Sequence, residues 1–381
     1  VLSRYSLLPH CVSHKSFEYH FGDDVLPYTR HTAISRIYPP PSISRYYVIG
    51  FDKDDSNWTS GSSGFLDSTV YLTANREVAG LYLVDGGHLI LNSRFGAPRN
   101  LTIVSGFIRT NGHHGSQISG EGSLTSGTSY LDIRLNLASP PFEYLHINSV
   151  IANNGSRSIG LKISGSHEFG WGSVVLGGDK SNTFTGNVEV SGKGNILTLN
   201  KTNGAIAIRG DIFIDNNAKL TLWKVGQIGK ASTVRLRNAI FQFSDVIEDL
   251  APEKKEAFRT LRVEGDSVLL FRTRETTVDK RSLYLDDLSI LYGGCLVVKG
   301  WKEGMHRLLV KKTSRNLDDA LKRIRFEGGN PNVIHLEDYN SEYWEISGAP
   351  EPNTYGAVLA SGCFSFVFWR RKQRIRGSCT C

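Results

Sequence analysis

The chain has 381 residues, a formal net charge of +7, 39 Gly, 12 Pro and five Cys. That length allows one large β domain or two ordinary ones. Arg370, Arg371, Lys372, Arg374 and Arg376 supply five of the seven net charges, so the first 369 residues are nearly neutral. No basic stripe interleaved with aromatics runs through them, which argues against nucleic acid as a partner.

Cys11, Cys295, Cys363, Cys379 and Cys381 are widely separated apart from the terminal C-x-C, which excludes a disulfide framework and a cysteine metal site as expectations. The abundance of Gly, with little apolar patterning at three–four spacing, points to an all-β chain with many turns.

Residues 1–45 read as an irregular lead-in that closes on "YPPPS", Tyr38 to Ser42. The chain opens on "VLSRYSLLPHCVSHK", without Met and without the apolar core of a secretory leader, so either a leader lies upstream of Val1 in a longer protein or the chain is not exported, and the tail described below favours the first.

Residues 46–245 carry short alternating strands separated by Gly, Asn, Asp and Ser: "VYLTA", "GLYLVDGGHLILN", "NLTIVSG", "YLDIRLNL", "LHINSVIANN" and "GLKISG". Each places apolar residues at i and i+2, as a strand with one buried face requires. From Ser173 to Phe243 the strand centres recur: Val188 to Ile212 is 24 residues, Leu197 to Leu220 is 23, Ile212 to Val234 is 22 and Leu220 to Phe241 is 21. A period in the low twenties with several strands per period predicts a solenoid, here a right-handed parallel β-helix.

One coil cannot bury its apolar face alone, whereas stacked coils close a continuous core. The expected interior rows are Val188, Val190, Leu197, Leu199, Ile206, Ile208, Ile212, Ile214, Leu220, Leu222, Val234 and Leu236. Asn216, Asn217, Gly192, Gly194 and Gly210 are the expected corners. A β-sandwich with similarly spaced strands is the competing architecture, and the repeated interval favours the solenoid.

Residues 246–347 loosen into further strands and one helical pattern, forming a small, partly helical cap region. In "SRNLDDALKRIRFEG", Leu317, Leu321 and Ile324 share a helical face, Asn316 or Asp318 is placed to cap it, and Gly328 ends it. Such a segment suits the end of a solenoid, which needs a polar plug.

The polar candidates do not converge on a reaction. Asp52, Asp54 and Asp55 imitate the start of a calcium loop but lack its sixth-position Gly and distal Glu. His113-His114 read as turn residues facing water. Asp286-Asp287 are adjacent in a strand pattern and therefore point to opposite faces. His335 and Glu337 share one face of an exposed strand while Asp338 takes the other. No G-x-S-x-G, H-E-x-x-H or phosphate-loop pattern occurs, so no catalytic residue, metal or cofactor is assigned. A polysaccharide lyase or glycosidase remains the enzymatic alternative, and a polysaccharide-binding adhesin using Trp58, Trp171 and Trp223 the binding one.

Residues 348–376 change character. Tyr355 to Trp369 is a run of 15 residues without a charge, about 22 Å long as a helix, followed at once by the five cations. Snorkelling Arg370 and Arg371 and the interfacial Trp369 extend its reach, and cations beyond an apolar span belong on the cytoplasmic side. A C-terminal transmembrane helix is therefore expected; an amphiphilic final strand with a basic terminus is the competing reading, and the placement of the cations counts against it.

The order Ala349-Pro350-Glu351-Pro352, apolar run, Arg cluster resembles the PEP-CTERM sorting signal of Gram-negative bacteria, which is processed by the membrane transpeptidase exosortase. The resemblance implies export, a transient stop in the inner membrane, recognition at Pro350, Glu351 and Pro352, and a cytoplasmic basic anchor. It further implies removal of the tail and delivery to the cell surface or exopolysaccharide matrix. Exosortase, the inner membrane and exopolysaccharide are the partners it implies.

Residues 176–222 also resemble the autotransporter-associated β-strand repeat, through a Gly-rich strand leading into Asn182-Thr183-Phe184-Thr185-Gly186. "NLDDALKRIRFEG" is similar to the end of repeat proteins with this sorting tail in verrucomicrobial genomes. An outer-membrane barrel, which true autotransporters carry, has no counterpart in these residues. The combined expectation is an exported, non-enzymatic surface or matrix solenoid.

Overall fold

A computed structural model of the protein describes residues 52–111, 115–135, 142–165, 171–244, 253–272, 280–327 and 329–350. Among these the strands form two sheets, of 15 and 11 strands, wound into a parallel β-solenoid of about eight coils. Each coil contributes a strand to the first sheet, turns a short corner into the second, and returns through a third wall. Val188–Ser191, Asn195–Leu199 and Ile212–Asp215 trace one such circuit.

The register explains why the repeat is visible in the sequence. Val188 pairs with Ile212, Ile212 with Val234, Leu197 with Leu220, and Leu220 with Phe241. Those are the four intervals read from the periodicity. Stacking in register brings like residues together, so Leu131, Leu161, Val188, Ile212, Val234, Leu261 and Leu288 form one interior ladder in the first sheet. Leu145, Val174, Leu197, Leu220, Phe241, Leu269 and Val298 form its counterpart in the second. All are buried. Each such side chain contributes about 1.5–3 kcal/mol by leaving water.

Eleven of the twelve expected interior residues are buried; Ile206 is only half-buried, and Ala205 and Ala207 on either side point inward instead. Asn216 and Asn217 turn their corner at φ 54° and 61°, and Gly192 and Gly194 theirs at 94° and 84°. Gly210 serves differently: a Cβ there would lie 2.2 Å from the carbonyl oxygen of Gly186, so the requirement is close approach of two coils.

The stack does not stop where the alternation loosens. Glu253–Val263, Lys280–Ile290 and His306–Lys311 continue the first sheet, and Ser267–Phe271, Leu296–Lys299 and Ile324–Phe326 the second. The longest strands round a corner. In Leu101–Asn111, Leu101 to Ile103 pair with the third wall at Leu124 to Ser126, whereas Phe107 to Thr110 pair with the first sheet at Asp132 to Leu135. The buried phase slips between Ile103 and Ile108, at Gly106, whose φ is 72°.

Both ends are closed by chain that departs from the coil. At the amino end the Trp58 indole lies buried against Gly64. At the carboxyl end Gly329–Asp338 and Tyr343–Pro350 form an antiparallel hairpin whose second strand pairs with His306–Lys311, and Ile346 is fully buried.

The helix expected to run on to its stop at Gly328 is one short turn, Leu317–Leu321, because Ile324–Phe326 joins the second sheet instead. Asn316 makes no side-chain capping bond; its Nδ2 donates to Asp287 Oδ2 at 3.1 Å. Tyr355 to Trp369, the expected transmembrane helix, lie outside the described residues. Among those described, no helix is long and apolar enough to cross a membrane.

Candidate functional site

Among the acidic residues singled out in the sequence, Asp52, Asp54, Asp55, Asp286, Asp287 and Asp338 are each engaged by neighbouring groups of the chain. Asp52 Oδ2 accepts the Trp58 indole N–H at 2.9 Å and the Phe65 backbone N–H at 2.8 Å, fixing the amino-terminal cap. Asp55 is fully buried and accepts from Thr73 N, Thr73 Oγ1 and Arg76 Nε, each at 2.8 Å. Burial pushes its carboxyl up, but the Arg76 and Thr73 bonds outweigh it and hold it below the usual range. Asp54 accepts the Ser56 N–H at 2.9 Å. Three acids spaced like a calcium loop thus serve three separate tasks.

Asp286 and Asp287 are both half-buried, because the alternation of Lys280–Ile290 slips between them, and they do not face opposite sides as strict alternation predicts. Asp286 pairs with Lys311 at 2.7 Å, while Asp287 accepts from Ser314 Oγ at 2.6 Å and from Asn316. His335, Glu337 and Asp338 lie exposed on the last strand of the first sheet, with Asp338 bonded to Lys312. Among the described residues no group of three or more His, Cys, Asp or Glu is placed to hold a metal ion. His113 and His114 lie outside the described residues.

The three tryptophans separate. Trp58 is a core residue at 3 % exposure, and Trp223 is half-buried. Trp171 is 48 % exposed, with Lys219 Nζ 5.0 Å from its ring centroid. Tyr144, also exposed, is on the adjacent strand two positions along from the Trp171–Phe142 pair. An exposed indole beside an exposed phenol on one sheet face offers apolar surface with hydrogen-bonding tips.

The outer faces of the two sheets differ. Along the first, Arg134 lies 5.1 Å from the Phe107 ring and Arg235 4.7 Å from that of Phe213. Arg134 pairs with Asp132, Lys162 with Glu189, and Arg235 and Arg262 with Glu264. On the second sheet, Val175, Thr198, Thr221 and Gln242 occupy outward positions yet are buried.

The third wall holds what periodicity missed. Asn182, fully buried, accepts the Ile151 N–H at 3.0 Å and donates to the Ala207 carbonyl at 2.9 Å, joining the coils before and after its own. Gln227 does the same for Lys201, accepting its N–H at 2.7 Å and donating to its carbonyl at 3.1 Å. Glu256 accepts the backbone N–H groups of Gln227 and Ile228 at 3.1 and 3.2 Å. Side chains thus complete hydrogen bonds where the wall is too irregular for a continuous ladder.

Burial pushes the Glu256 carboxyl up to about 7 despite those bonds. Burial likewise lowers the Lys201 ammonium to about 8, and its Nζ makes no hydrogen bond among the described residues. His306, fully buried and stacked 4.7 Å from Phe271, falls to about 4 through burial and the nearby Arg281 and Lys302 charges.

Pro350 ends the closing hairpin, in register with Gly329. Glu351, Pro352, Tyr355, Trp369 and the cations Arg370, Arg371, Lys372, Arg374 and Arg376 lie outside the described residues. Comparison with protein-family models, with curated proteins and with solved structures returned no match.

Proposed function

We propose that this protein is an exported, non-enzymatic β-solenoid of the cell surface or extracellular matrix, with right-handed coils, sorted by its C-terminal tail. The observation that carries the reading is the order of the tail: Pro350-Glu351-Pro352, the charge-free Tyr355 to Trp369, then five cations. In this reading the run spans the inner membrane as a helix, the cations hold its end in the cytoplasm, and an exosortase releases the solenoid. The dispersal of the described acids into cap and corner bonds supports a display role over a lyase or glycosidase, which needs two groups converging on one substrate.

Fractionation tests this reading, with an epitope inserted before Ala349 and expression in hosts with and without an exosortase. Tagged protein shortened and released only when the exosortase is present is the expected result. Cytoplasmic recovery of the intact chain in the exosortase host refutes it.

The exposure of Trp171 and Tyr144 on one face favours a second reading, a solenoid that holds polysaccharide without chemistry. Removing a stacked aromatic from such a site costs on the order of 1 kcal/mol or more. Trp171→Ala is therefore expected to weaken binding to a glycan array at least about fivefold while leaving the melting temperature unchanged.

A further inference from the structure

The two ends of the first sheet are finished differently. At the amino end the edge strand Gly64–Leu66 is occupied: Phe65 N donates to Asp52 Oδ2 at 2.8 Å, and Phe65 O accepts from Asp52 N at 2.7 Å. At the carboxyl end Gly329–Asp338 pairs with Tyr343–Pro350 along one side and, among the described residues, with no strand along the other. His335, Leu336, Glu337 and Asp338 on this strand are all exposed, Leu336 at 36 % being one of the molecule's exposed large hydrophobics. An open edge of this kind is a template for one more strand.

The residues along the edge select the strand that fits. Two copies related by a two-fold axis through Leu336 pair antiparallel, with Leu336 against Leu336 of the second copy. His335 then stands opposite Glu337 of the second copy, and Glu337 opposite its His335. Each copy supplies both halves of an imidazole–carboxylate pair, and opposite residues on one sheet face are close enough to interact directly. Moving the axis to Glu337 sets two carboxylates against each other. A parallel, in-register pairing does so twice, at Glu337 and Asp338. Asp338 is engaged by Lys312 and lies on the strand face away from His335 and Glu337, so it does not compete for the histidine.

We propose that the Gly329–Asp338 edge is a self-association surface whose occupant is the same strand of a second copy, antiparallel about Leu336. The contact joins two solenoids through one continuous first sheet. With a three-residue match at its centre, it is a weak association that depends on local concentration, as at a membrane or in a matrix.

The test uses the full chain in one detergent buffer, followed by sedimentation equilibrium over a concentration series, with circular dichroism confirming that each variant is folded. The wild-type chain is expected to show a monomer–dimer equilibrium. His335→Glu alone and Glu337→His alone each replace two favourable cross-strand pairs with like ones, and should raise the dissociation constant about tenfold. The double variant H335E/E337H restores complementarity and should return it to within about twofold of wild type. Leu336→Cys should give a reducible covalent dimer on mild oxidation, because only this position faces itself. A chain that stays monomeric throughout overturns the proposal. So does association that the single variants leave unchanged, or that the double variant fails to restore.

Discussion

Asn182 and Phe184 show what individual side chains do in this fold. Both are buried within a five-residue turn that looks like surface by composition. Asn182 ties two neighbouring coils, Phe184 fills the wall behind it, and Gly186 comes so close to Ile159 that a Cβ would meet its carbonyl oxygen at 2.4 Å. The motif was legible in the sequence, but the burial of its asparagine was not, since amide residues in Gly-rich segments usually mark exposed turns. Gln227 and Glu256 were hidden for the same reason: their partners are backbone groups of other coils, and no local pattern records them.

Glu256 makes the cost of that arrangement measurable. Its folded value of about 7 lies above the ordinary 4.5, so the folded state holds the proton more tightly between those values. Stability contributed by this group is therefore complete at the acid end of the window, declines as pH rises through it, and is level above. Glu256→Gln replaces an acceptor of several N–H groups by an amide with one acceptor oxygen. It should lower stability by about 1–3 kcal/mol and remove that decline. Urea unfolding across the window checks this, and an unchanged pH slope in the variant refutes it.

Single elements follow from pattern when their length matches the period. The four register pairs between Val188 and Phe241 were readable because 21 to 24 residues per coil leaves little room for insertions. The helix was misjudged in extent. Leu317, Leu321 and Ile324 do fall on one helical face, yet Ile324 and Phe326 also alternate, and pairing them with Leu296 and Val298 buries both at the end of the second sheet. Completing a sheet edge outweighed two further helical turns.

The corners separate two uses of glycine that sequence does not distinguish. Gly204 has φ 72° with nothing within 4 Å of a built Cβ, whereas Gly210 has its Cβ position 2.2 Å from the oxygen of Gly186. Gly204→Ala is expected to cost about 1 kcal/mol, the price of a left-handed residue. Gly210→Ala forces two coils apart and should cost at least about 2 kcal/mol. Paired denaturation curves that rank them the other way contradict this account of the stacking.

Across the whole molecule, coil length is the variable that hides the fold. Phe241 pairs with Leu269, 28 residues on, and Leu131 with Leu161, 30 on, so the interval read from the centre fails at both flanks while the sheets continue. In both of these coils the extra residues enter between strands, leaving the register of the paired strands intact. A stack of this kind has interactions dominated by nearest neighbours. Deleting Val188 to Asp211 removes one circuit and brings Leu161 opposite Ile212 with the same side-chain phase. The shortened chain should still unfold cooperatively, with a denaturant slope reduced in proportion to the surface lost. A broad, non-cooperative transition refutes the one-dimensional description.

The two sheets of the solenoid present unequal flanks. Arg134, Arg235, Arg237 and Arg262 keep roughly half of each side chain in solvent on one flank, at 51 %, 43 %, 48 % and 45 %. On the other flank the outward row from Val175 to Gln242 is withdrawn from water. One flank of the solenoid is therefore a hydrated, ion-paired surface, while this row of the other is covered. A neighbour that approaches the first flank must displace water from ion pairs, whereas one that approaches the second finds Val175, Thr198, Thr221 and Gln242 already covered.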